Sequence, residues 1–187
     1  MLKELVTMVL CLSMGVGLGG CGTPKEHPKV KVELENGKTF TMELYPEYAP
    51  ETVENFVNLV EAGFYDGLTF HRIIPGFMIQ GGDPQGTGMG GSDKTIKGEF
   101  SQNGVQNDLH HERGVVSMAR SSDPDSASSQ FFICVDTAGV AHLDGAYAAF
   151  GKVIEGMDVV DEIAAVETDA NDMPTTPVIM KSVTIVE

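Results

Sequence analysis

The 187-residue sequence predicts a mainly β domain, a barrel or a sandwich, and three observations carry that expectation. Short segments rich in β-branched and aromatic residues recur between Gly and Asp, including Gly114 to Ala119, Gln130 to Val135 and Ala148 to Ile154. Two stretches have helical spacing, too few for alternating βαβ units. Strand-like segments also stand at both ends of the domain, Val30 to Leu34 and Val178 to Val186, so the first and last strands can pair and remove open edges.

Taken in order, Val30, Val32 and Leu34 alternate along one strand, Asn36-Gly37 supplies a two-residue turn in the left-handed region, and Phe40, Met42 and Leu44 return. Pro50-Glu51-Thr52 opens a helix with proline in the first turn and an acid near the positive end of the dipole; Val53, Phe56, Val57 and Val60 form its apolar face, and Gly63 stops it. A second helix fits Met157 to Ala165, with Met157, Val160 and Ile163 inward. No internal repeat or second domain is evident.

A net charge of −15 argues against binding nucleic acid or an anionic bilayer by charge. Of three cysteines, Cys134 alternates with Phe132 on a strand and reads as a buried thiol; no disulfide framework is implied. Residues 1–20 read as a signal peptide: Lys3 beside Glu4, then an apolar run from Leu5 to Leu18 that falls short of the roughly 20 residues a membrane span requires. Leu18-Gly19-Gly20-Cys21 resembles a bacterial lipobox, which implies diacylation of Cys21, cleavage before it and attachment to the outside of the cytoplasmic membrane by palmitate-type chains. Residues 21–28, with two prolines and no periodicity, read as a short tether, and the working domain as residues 29–187.

Several features read as chemistry at first sight. Gly81 to Gly91 holds six glycines but lacks the Lys-Ser/Thr of a phosphate loop, and is better explained by close backbone approach. His110-His111-Glu112 offers no third metal ligand, and adjacent histidines on a strand point to opposite faces, so no metal is expected. Asp123-Pro124-Asp125-Ser126 lacks calcium-loop spacing and reads as a solvated turn. Ser128 and Ser129 have no nucleophile-elbow pattern around them.

The segment Phe70-His71-Arg72-Ile73-Ile74-Pro75-Gly76-Phe77-Met78-Ile79-Gln80-Gly81-Gly82-Asp83 is different. Strict alternation puts Phe70, Arg72 and Ile74 on one face, so a guanidinium projects among apolar neighbours, as either a structural ion pair or a substrate contact. This motif, with Gly114 to Ala119, Ser129 to Ile133, Leu143-Asp144-Gly145 and Phe150 to Val153 following in order, resembles the signature of cyclophilins. The resemblance covers roughly residues 29–187. It implies a closed eight-stranded antiparallel barrel capped by two helices, and peptidyl-prolyl cis-trans isomerase activity on unfolded or newly secreted chains, with no cofactor, acting as a monomer.

Carried over by position, the resemblance makes Arg72 the catalytic arginine and Gln80 the residue that orients it. Phe77, Met78, Phe132 and Leu143 become the proline pocket, Ala119, Arg120 and Ser121 the strand that pairs with the peptide, and Gln130 its neighbour. His142 stands where many eukaryotic members have tryptophan and Tyr147 where they have histidine, which puts tight cyclosporin binding in doubt while leaving an aromatic wall and a hydroxyl. Arg120, where asparagine is common, adds a positive charge beside the groove that either favours acidic substrates or is solvated. The rival reading is a proline-peptide holding module on the same barrel; binding proline needs the apolar pocket alone, whereas Arg72 together with Gln80 points to turnover.

Overall fold

In the computed structural model, which describes residues 27–187, β1 (Lys29–Leu34) and β2 (Thr39–Leu44) each bury alternate residues, as the sequence alternation requires. The expected signal peptide, Cys21 and all of the tether before His27 lie outside the described residues. The turn joining β1 to β2 differs from the expected two-residue form. Only Gly37 takes a positive φ, 80°; Gly37 N donates to the Leu34 carbonyl, Leu34 N donates to the Lys38 carbonyl, and the Asn36 side chain accepts from Lys38 N instead of entering the left-handed region. The loop is therefore three residues long with a glycine bulge.

The remaining elements are α1 (Pro50–Glu61), β3 (Phe70–Ile74), β4 (Met78–Gly81), β5 (Val115–Met118), β6 (Phe131–Cys134), β7 (Ala149–Glu155), α2 (Met157–Ala164) and β8 (Met180–Val186). All eight strands join one antiparallel sheet in the order β3-β4-β6-β5-β7-β2-β1-β8, and the first strand pairs with the last along its whole length. The sheet curls around a core in which Phe56, Tyr65, Phe70, Phe131 and Phe150 meet edge-on or tilted. Tyr65 is fully buried, and its hydroxyl donates to the Ser129 carbonyl at 3.0 Å. Phe56 brings α1 to one side of this core, while α2 touches β2, β3 and β4 and so spans strands from both halves of the sheet.

The expected closed barrel is corrected to a curled, open sheet. Its two edges, β3 and β8, form no ladder; they approach through one isolated bridge, Thr69 to Ile179, with Phe70 N donating to the Val178 carbonyl. Closure stops there because the Ile73 amide is already taken by the Asp172 carbonyl, from a turn of residues 167–175 that lies along the β3 edge. That edge is covered by a loop instead of a strand.

Within β3 the expected alternation also fails. Phe70 opposes Gly81 and Arg72 opposes Gln80, so His71 is an extra residue in a β-bulge. Phe70 and Ile73 therefore both enter the inner core, while Arg72 and Ile74 share the outer face. Arg72 does not share a face with Phe70.

Candidate functional site

Register builds the site. Arg72 on β3 opposes Gln80 on β4, Gln80 opposes Phe132 on β6, and Phe132 opposes Ser117 on β5, so these four positions form one row on the outer face of the sheet. One row along, Met78 opposes Cys134. Met78, Phe132, Cys134, Val140 and Leu143 make a second apolar cluster, separate from the inner core, with Ile74, Phe77, Ala119 and Tyr147 against it. Burial pushes the Cys134 thiol up to about 12, so it packs as an uncharged group under the site.

Between β3 and β4, Pro75 and Gly76 form the turn that delivers Phe77: Gly76 has φ 73° and Phe77 N donates to the Ile74 carbonyl, the pattern of a type II turn. A cavity of about 160 Å³ results, lined by Arg72, Phe77, Met78, Gln80, Ala119, Arg120, Phe132, Leu143 and Tyr147. Every one of these is a residue singled out in the sequence. Beside it lies a second hollow of about 330 Å³ that shares Gln80, Ala119 and Arg120 and adds Ser121 and Gln130. Ser121 and Gln130 are thus neighbours of the apolar pocket and not part of its wall. His142 is outside it as well, its ring stacked on Phe77 at 5.8 Å between centroids. A larger cavity, about 980 Å³, lies between α1 and residues 84–99 and contains none of these side chains. Size alone does not choose the site; the convergence of a guanidinium, an amide and an apolar wall does.

Polar contacts run along one side of the pocket. Arg72 Nη1 donates to Gln80 Oε1 at 3.4 Å, Gln80 Nε2 donates to Gln130 Oε1 at 2.8 Å, and Gln130 Nε2 donates to the carbonyls of Gly88 and Gly90 at 3.1 and 2.7 Å. The glycine-rich loop is therefore tied to the arginine through two glutamines. Asp83 organises that loop by accepting from the amides of Gln85, Thr87 and Gly88, and these bonds hold its carboxyl below the usual range although burial works the other way. Close approach explains one glycine here: a side chain on Gly82, φ 86°, would strike the Ser129 carbonyl.

Arg120 is half-buried at the edge of both hollows and is held by its neighbours. Its Nε and Nη2 donate to the Ala146 carbonyl at 3.1 and 2.9 Å, its Nη1 donates to the Ser121 carbonyl at 2.8 Å, and its guanidinium lies over the rings of Phe100 and Tyr147, 5.1 and 4.7 Å from their centroids. It holds the Tyr147 wall in place.

The paired histidines also behave differently from expectation. Residues 110 and 111 lie outside any strand, and both Nδ1 atoms meet Asp144, each at 2.8 Å. His111 is buried, contacts Ser117 Oγ through Nε2 at 3.0 Å, and stacks against Phe132 from behind. Sequence reasoning missed Asp144 and His111 as supports of the pocket floor, because a 33-residue separation carries no local signal. It also missed Asp172, whose carboxylate lies 3.7 Å from Arg72 Nε.

Residues 29–185 match the family model described as cyclophilin type peptidyl-prolyl cis-trans isomerase/CLD. The peptidyl-prolyl cis-trans isomerase ppi1 of Schizosaccharomyces pombe is 43% identical over 158 residues, spanning 83% of this chain and 98% of its own. Peptidyl-prolyl cis-trans isomerase B of Bacillus subtilis is 50% identical over 125 residues, spanning 67% of this chain and 82% of its own. Among solved structures, a cyclophilin-type isomerase of Cryptosporidium parvum crystallised in the presence of the dipeptide Ala-Pro is similar with a TM-score of 0.77 and 32% identity, covering 85% of this chain and 99% of that one.

Proposed function

The chain belongs to the family of cyclophilin-type peptidyl-prolyl cis-trans isomerases and has their activity, and on that premise we propose that Arg72 supplies the catalytic term while the apolar pocket beside it holds the proline ring. An Xaa-Pro amide rotates over a barrier of about 18–20 kcal/mol, because resonance is lost in the twisted transition state. No covalent bond is made or broken. The site therefore has to bind the twisted amide more tightly than either planar isomer.

As resonance is lost, the proline nitrogen regains a lone pair that a guanidinium N–H can bond, an interaction absent from the planar ground state. Phe77, Met78, Phe132 and Leu143 grip the ring; Gln80 and the backbone of Ala119 to Ser121 hold the preceding residues, so rotation is confined to one bond. The observation that carries this reading is the placement of Arg72 and Gln80, directly opposite one another on β3 and β4, at the rim of an apolar pocket. The Ala-Pro dipeptide named with the Cryptosporidium neighbour supports reading the pocket as a proline site.

The test is cis-to-trans conversion of a short Xaa-Pro peptide by the full-length protein, by Arg72→Ala and by Arg72→Lys. Removing a group that stabilises only the transition state lowers kcat by about 100-fold or more, and lysine, without the fork, restores little of it. Equal rates in all three proteins would refute the role of Arg72, whereas a wild type no faster than the uncatalysed peptide would leave a holding module as the better reading.

We further propose that the domain acts outside the cytoplasmic membrane of a bacterium, tethered through lipid on Cys21. The support is the short apolar leader ending in Leu18-Gly19-Gly20-Cys21 and the proline-containing stretch after it. Mass spectrometry of the mature N-terminus should find residue 21 first and acylated; an intact leader or an unmodified cysteine refutes the anchor.

A further inference from the structure

β3 is an edge strand, and the turn between α2 and β8 satisfies its Ile73 amide through the Asp172 carbonyl at 2.8 Å. That turn is tied internally. Asp169 Oδ1 accepts from the amides of Asn171 and Met173 at 2.8 and 3.0 Å, and the Asp169 amide donates to the Met173 carbonyl at 2.8 Å. Within it Asp172 has φ 63°, the one non-glycine residue with positive φ among the described residues. Left-handed backbone is disfavoured for residues with a Cβ, and it persists where surrounding bonds enforce it, often next to a functional group.

Here the enforced conformation brings a carboxylate to the arginine. Asp172 Oδ2 lies 3.7 Å from Arg72 Nε, while Gln80 Oε1 accepts from Nη1 on the other side. Among the described residues Nη2 has no hydrogen-bond partner. An arginine with several rotatable bonds, 45% exposed on a strand, needs such contacts to present one edge reproducibly.

We propose that Asp172 is a positioning residue for catalysis, whose carboxylate holds the Nε edge of the Arg72 guanidinium so that the Nη edge meets the twisted amide. This rests on the role assigned to Arg72 above. The backbone of Asp172 covers the β3 edge and its side chain steers the arginine, and the two jobs separate by substitution.

Asp172→Asn keeps the shape and the tolerance for positive φ but removes the charge; Asp172→Gly accepts the φ with no side chain. In the full-length protein both variants are expected to keep the wild-type thermal midpoint and KM while kcat for a short Ala-Pro peptide falls about two- to fivefold, the range for a half-exposed ion pair. In an Arg72→Ala background the same substitutions should change residual turnover no further, since the carboxylate acts through the arginine. Wild-type kcat in Asp172→Asn, or an equal loss in the Arg72→Ala background, overturns the proposal. Undiminished turnover in Arg72→Ala alone overturns the reading beneath it, which separates the two failures.

Discussion

His71 is 5% exposed, and neither ring nitrogen has a hydrogen-bond partner among the described residues, an arrangement that costs on the order of 1–3 kcal/mol. Burial lowers its pKa below the ordinary 6.5, and burial likewise lowers that of His111 against the pull of Asp144. The unfolded chain therefore takes up protons first as pH falls, and stability is lost from about pH 6.5 downward through the folded values. Asp83 and Asp144 are held below the usual 3.8, so what they contribute is present above that value and is lost at still lower pH. Urea midpoints should accordingly fall between pH 7 and pH 5, and His71→Gln should flatten that decline; a midpoint unchanged over this interval contradicts the assignment. At this scale the sequence was informative about identity and silent about partners. The fourteen residues from Phe70 to Asp83 carry Arg72, Phe77, Met78 and Gln80 in one contiguous motif, and the later blocks of the same resemblance carry Ala119, Arg120, Phe132, Leu143 and Tyr147. Asp172, Asp144 and the two rings on Arg120 come from distant segments, and no spacing rule reaches them.

Alternation, β-rich composition and helical spacing located seven of the strands and both helices to within a few residues, whereas β4 went unread and the count of eight came from the family resemblance. What they did not locate were the irregularities. A bulge at His71 inverts the facing of everything before Arg72, and a period-two pattern has no mark for one extra residue. The start of α1 is a similar case. Glu51 in its first turn was the expected partner of the helix dipole, yet the carboxylate that reaches the amides belongs to Glu99, which accepts from Glu51 N at 3.1 Å, Thr52 N at 2.7 Å and Thr52 Oγ1 at 2.6 Å. A buried charged acceptor of three bonds at a helix N-terminus stabilises appreciably. Glu99→Ala is expected to lower stability by about 1–3 kcal/mol, read as a lower urea midpoint with an unchanged m value; an unchanged midpoint would mean that solvent replaces the carboxylate without penalty.

For the whole molecule, the curl of the sheet makes two environments from one set of strands. The inner face packs an aromatic core, and the outer face of β3, β4, β6 and β5 carries a smaller cluster that opens as the apolar pocket. The row Arg72, Gln80 and Phe132 is laid across three hydrogen-bonded strands, which gives the pocket its preorganisation. The claim at the centre is that Arg72 prefers the twisted amide, not that it holds the peptide. On-enzyme exchange between the cis and trans forms of a bound Xaa-Pro peptide, followed by NMR for the wild type and for Arg72→Ala alongside each dissociation constant, separates those two roles. Interconversion slowed by about 100-fold with affinity nearly unchanged is the predicted result. Wild-type interconversion in Arg72→Ala, or a loss that lies wholly in affinity, contradicts it.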